Sequence, residues 1–100
     1  MRNTANQLLK AAEAAGYSFK VMGFEGYEEG IIDYQGTSAA KAFEATKLEG
    51  AANVWLSKEG SKTEWASIIH FNDPDESLSD CTAEGWINDW AERTNFGQED

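Results

Sequence analysis

Two runs of alternating side chains, Asn53–Ser57 and Thr63–Phe71, flank the polar segment Lys58-Glu59-Gly60-Ser61-Lys62. A period of two residues is the signature of extended backbone, and a short polar glycine-containing segment between two such runs is a hairpin loop. This is the strongest turn signal in the chain. It commits the fold to a sheet and excludes an all-helical bundle. Within the first run, Val54 and Leu56 share a face, which leaves Trp55 on the other.

The remainder of the chain alternates between helical and extended periods. Thr4 and Gln7 have capping-box spacing, Ala5, Leu8, Leu9, Ala12 and Ala15 form an apolar stripe, and Gly16 can end a helix, so a helix is expected over 4–15. Thr37 or Ser38 can cap a second helix over 38–48, with Ala39, Ala42, Phe43 and Thr46 facing inward and Glu49-Gly50 ending it. Trp86, Ile87, Trp90 and Ala91 mark a third over 83–94. Strands are expected over 17–24, with Phe19 and Val21 opposite Ser18, Lys20 and Met22, and over 30–34, 52–57 and 63–71. The order α-β-β-α-β-β-α predicts an α+β domain: a small, mainly antiparallel four-stranded sheet with helices packed on one face. That domain covers residues 1–95, followed by a flexible acidic tail at 96–100. Its expected core is Leu8, Phe19, Val21, Phe43, Val54, Leu56, Ile69, Trp86 and Trp90.

Charge is distributed less evenly than the apolar residues. Residues 71–100 carry nine carboxylates against Arg93, which accounts for −8 of the chain's net −10. Residues 1–20 carry +2, 21–40 carry −4, and 41–70 are balanced. Phosphate backbones and anionic lipids require the opposite sign, so direct nucleic-acid and membrane binding are disfavoured. A basic protein surface, above all one built to hold nucleic acid, is the complementary partner. No apolar run is long enough to span a bilayer, and the N-terminus enters an Ala-rich polar segment without a hydrophobic signal core. With the lone Cys81, these features point to a cytoplasmic protein.

Catalytic signals are weak. His70 is the only histidine, without an ordered companion, and reads most simply as a partly exposed strand residue. Cys81 precedes a helix start, where a thiolate is favoured, but the neighbouring Asp80 and Glu84 oppose its ionisation. Asp73, Asp75, Ser77, Ser79, Cys81 and Glu84 fall at positions 1, 3, 5, 7, 9 and 12 of a calcium-loop pattern. Leu78 replaces its required glycine, however, and a strand precedes the loop where a helix belongs. The sequence assigns no catalytic residue, metal or cofactor.

The segments Gly30–Tyr34, Ala51–Ser57, Trp65–Ile69 and Gly85–Trp90 resemble small acidic proteins of bacteriophages and mobile elements. That group includes inhibitors of host defence, among them anti-CRISPR proteins and nucleic-acid mimics. The resemblance implies a stoichiometric inhibitor and carries over no catalytic residue. The basic first twenty residues would confine any mimicry to one face.

Two functional expectations follow. In the first, Asp73, Asp75, Glu76, Asp80, Glu84, Asp89 and Glu92 occupy the basic groove of a nucleic-acid-binding host protein, with neither turnover nor cofactor. In the second, the charge maintains solubility, and a surface around Trp55 and Trp65 joins another copy of the chain or a phage structural component.

Overall fold

The computed structural model describes residues 3–24, 27–71, 77–82 and 85–94. The first helix, α1 (Thr4–Ala14), is capped by Asn3, whose side chain accepts the Asn6 amide at 2.9 Å. The cap therefore sits one residue before the expected Thr4. Thr4 instead uses its hydroxyl to accept the Leu78 amide at 3.1 Å and to meet the buried Ser77 hydroxyl at 3.2 Å. Ser77 in turn donates to the Asn3 side chain and accepts the Ala5 amide. A local capping role is thus traded for a contact spanning most of the chain.

Gly16, at a φ of 93°, ends α1 as its position suggests, and the buried Tyr17 leads into β1 (Ser18–Gly23). A short 3₁₀ turn (Tyr27–Glu29) follows, then β2 (Tyr34–Gly36), α2 (Ala39–Thr46), β3 (Ala51–Ser57), β4 (Glu64–Ile69), β5 (Leu78–Cys81) and α3 (Trp86–Thr94). Ser38 caps α2 by accepting the Lys41 amide at 3.2 Å. A second acceptor comes from α1, where the Glu13 carboxylate takes the Ala39 amide at 3.0 Å.

All strand pairings are antiparallel, in the order β2-β1-β3-β4-β5. The expected hairpin is β3–β4, with Trp55 opposite Trp65 and Val54 opposite Ala66. The α+β class holds, but two sheet expectations are corrected. Among the described residues the sheet has five strands, because Leu78–Cys81, outside all four expected strands, pairs with β4. The second strand is Tyr34–Gly36, largely beyond the expected 30–34. Asp33 donates its amide to the Val21 carbonyl and accepts the Gly23 amide with its side chain, and the ladder begins only at Tyr34, opposite Val21. Ile31 and Ile32 remain exposed outside it. The tail expected at 96–100 lies outside the described residues.

One core lies on one face of the sheet. Phe19, Val21, Val54, Leu56, Ala66 and Ile68 meet Leu8, Leu9 and Ala12 of α1, Ala42 of α2, and Ile87 and Trp90 of α3. Three expected core residues move outward. Ile69 is half-buried because register places Ile68 opposite Ala52 and turns its neighbour to the other face. Phe43 is half-buried at the edge of the core and packs edge-on against His70, while Ala45 of the same helix is a buried member of the core. Trp86 is half-buried, its ring 5.1 Å from that of Tyr17.

Trp90, only 6% exposed, closes the core from α3. Replacing a packed aromatic by alanine costs roughly 3–5 kcal/mol through lost transfer energy and the cavity left behind. Trp90→Ala is expected to lose that amount in denaturant unfolding, and a loss below about 1 kcal/mol would contradict a dominant packing role.

Candidate partner-binding surfaces

Because the helices share one side, the sheet's other side bears residues of the opposite phase. Its register aligns Gln35, Lys20, Trp55 and Trp65 across four strands, and Met22, Asn53, Ser67 and Asp80 in the neighbouring row. Trp55 and Trp65 are half-buried, with the Lys20 ammonium 5.3 Å from the Trp55 ring centre, within cation–π range. Ser67 donates to the Asn53 side chain at 2.7 Å. None of the described helices contributes to this face a residue of the core cluster, whose sheet members all have the other phase.

The seven acids expected to form a partner surface divide into two groups. Asp73, Asp75, Glu76 and Glu84 lie outside the described residues. Asp80, Asp89 and Glu92 are all exposed. Asp80 sits on β5 opposite Ser67, in the row facing away from the helices, and accepts the following amide of Cys81 at 2.9 Å. Asp89 and Glu92 lie near one another on α3, beside Trp86 and Arg93 in a shallow hollow of about 650 Å³. The described acids therefore occupy two surfaces, the outer sheet face and the flank of α3. Among the described residues, no lysine or arginine lies within ion-pair distance of any of the three, whereas Glu44 and Lys47 pair at 3.0 Å.

A fourth acid, which the sequence pattern did not single out, organises this end of the fold. Glu64 is 7% exposed, and its two carboxylate oxygens accept the Trp86 and Ile87 amides, each at 2.9 Å. These are the first donors of α3, where unpaired N–H groups and the helix dipole favour negative charge. Gly85 makes the approach possible. A Cβ there would lie 2.8 Å from the carboxylate, and its φ of 144° disfavours other residues. The sequence shows only a strand glutamate, because the helix it caps begins 22 residues later.

The thiol of Cys81 is half-buried. Burial, then the charges of Asp80 and Glu64, push its pKa upward, which opposes thiolate chemistry. Glu64 supplies the second acid where the sequence suggested Glu84, which lies outside the described residues. Burial and the Glu64 charge likewise raise Tyr17. The calcium-loop pattern does not form as a loop throughout, since Ser79 and Cys81 belong to β5. Among the described residues, no group of three or more histidine, cysteine or acidic side chains is placed to hold a metal ion.

His70 lies just beyond β4. Its Nε2 is 2.7 Å from the hydroxyl of the fully buried Thr46, which itself donates to the Phe43 carbonyl at 2.6 Å. With its one proton committed to that carbonyl, the hydroxyl accepts from Nε2–H, so this imidazole nitrogen serves to join α2 to the end of β4. Partial burial, followed by the Lys47 charge, lowers the His70 pKa, while Glu44 opposes the shift.

No family model, curated protein or solved structure matches this chain. No helix among the described residues is long and apolar enough to cross a membrane.

The His70 shift fixes the sign of a pH effect. Unfolded histidine titrates near pH 6.5. A lowered folded pKa means the unfolded chain binds protons first as the pH falls. The stability contribution is present above about pH 6.5 and is lost as the pH falls through the folded pKa. His70→Gln retains a side-chain donor for Thr46 and removes the titration. Its melting temperature is expected to fall less than wild type's between neutral and mildly acidic pH, as followed by circular dichroism, whereas parallel profiles would contradict the assignment.

Proposed function

We propose that the chain is a non-catalytic, acidic protein-binding domain that acts by occupying a basic protein surface, in the manner of a stoichiometric inhibitor or nucleic-acid mimic. The observation supporting this reading is that Asp80, Asp89 and Glu92 are exposed and lack cation partners among the described residues. The net charge of −10 supplies the wider field. Fields of this kind act chiefly on association rate and partner choice. A host-defence or other nucleic-acid-binding protein is the kind of target such a domain would compete for, and cytoplasmic action belongs to the same proposal.

A second reading rests on the Trp55–Trp65 pair. Directly opposed tryptophans on a sheet face away from the helical core provide an aromatic anchor for another protein, including another copy of the chain. In that case, truncating Trp55 would disrupt the principal interaction, and neutralising the acids would leave it largely intact.

The two readings separate by mutation and salt. The partner retained from host extract at low salt is identified, purified, and titrated with wild type and with the combined Asp80→Asn, Asp89→Asn and Glu92→Gln variant. The acidic-surface reading expects slower association and a flatter salt dependence for the variant, with circular dichroism and melting temperature nearly unchanged. Equal binding at low salt by a folded variant would refute that role for these acids.

A further inference from the structure

At the end of the sheet where β1 and β4 finish and β3 begins, large apolar side chains remain exposed. Phe24 is 43% exposed, Leu48 69% and Phe71 79%, with Ile31 and Ile32 at 49% and 47% on the approach to β2. An isolated exposed apolar residue is ordinary, but a cluster at one end of a fold marks a contact surface. Leu48 stands between two shallow hollows. Phe24, Glu49, Ala51 and Phe71 line one of about 500 Å³, and Asp33, Tyr34, Ala40 and Ala45 help line another of about 430 Å³. Close packing fixes part of this rim. A Cβ on Gly50 would strike the Phe71 ring, and one on Gly23 would strike the Glu49 carboxylate.

Charge selects among occupants. Glu28 and Glu29 lie on the exposed 3₁₀ turn joining β1 to β2, while Asp33 and Glu49 line the hollows. Lys41, Glu44 and Lys47 are the other charged groups on the adjoining helix, with Lys47 paired to Glu44 and placed over the Phe43 ring. Among the described residues, negative charge is therefore in excess around the apolar rim. A second copy would bring another net −10 against it.

We propose that the surface from Phe24 across Leu48 to Phe71 is a docking groove for a basic amphipathic segment of a partner protein. Aliphatic side chains enter the hollows beside Leu48, and lysine or arginine residues face the exposed Glu28 and Glu29. The partner's positive charge rests on the function proposed above; the apolar anchoring site is independent of Asp80, Asp89 and Glu92.

The test uses a short fluorescent amphipathic leucine/lysine peptide, with a lysine/serine peptide of equal charge as its control. Both are titrated against wild type, Leu48→Asn, Phe71→Asn and the variant neutralised at Asp80, Asp89 and Glu92. Both asparagine changes are at exposed positions, and melting temperatures verify folding. Each is expected to weaken leucine/lysine peptide binding by roughly tenfold or more, without changing the weaker binding of the lysine/serine control. The neutralised variant is expected to retain peptide binding even if it loses the partner from host extract, so the two proposals fail separately. Leucine/lysine peptide binding that is unaffected by either asparagine change would overturn the groove. So would equal wild-type affinity for the two peptides. Wild-type dimerisation abolished by Leu48→Asn or Phe71→Asn in sedimentation velocity would overturn the partner assignment in favour of a second copy.

Discussion

The structure depends on burying one face of the sheet beneath the helices. Alternation along β1, β3 and β4 sends Phe19, Val21, Val54, Leu56, Ala66 and Ile68 to a common face, where all three helices meet them. Each large apolar side chain so buried contributes on the order of 1.5–3 kcal/mol before the entropy of ordering it. The same alternation places Lys20, Trp55, Trp65 and Asp80 on the opposite side. The core and the outer sheet face are two consequences of one register, and a one-residue slip would exchange them.

The acids divide by position into two physical roles. The exposed Glu13 and the buried Glu64 accept the first amides of α2 and α3, supplying caps from distant elements. Asp33 similarly holds the end of β1 through the Gly23 amide. These carboxylates meet donors that folding would otherwise leave unsatisfied. Asp80, Asp89 and Glu92 face water and contribute to the external field instead. Net charge thus overstates the acid available to a partner, because part of it is committed to holding helix ends and turns.

The legibility of each element followed the range of the forces that shape it. The β3–β4 hairpin and α1 were readable because their periodicity, loop and terminating glycine are local. The final strand was missed because Leu78–Cys81 is short, lies at the sheet edge, and pairs through a register irregularity opposite Ser67 and Ile68. Ile68 and Ile69 differ little in propensity, so only pairing with Ala52 and Ala51 determines which one enters the core. The Glu64 cap was invisible for a related reason: its donors belong to another element. For the candidate surface, sequence indicated the exposed acids on β5 and α3 and the separate facing of Trp55. It did not unite Phe24, Leu48 and Phe71, which lie far apart along the chain and are gathered only by the sheet's topology.

Burial of this face beneath the helices can be tested by hydroxyl-radical footprinting of the free, folded chain, read residue by residue by mass spectrometry and corrected for intrinsic side-chain reactivity. The structure predicts strong labelling at Phe71 and Leu48, intermediate labelling at Trp55 and Trp65, and protection of Phe19, Leu56 and Trp90. Protection of Phe71 and Leu48 together with labelling of Trp90 or Phe19 would place the core elsewhere and contradict the account.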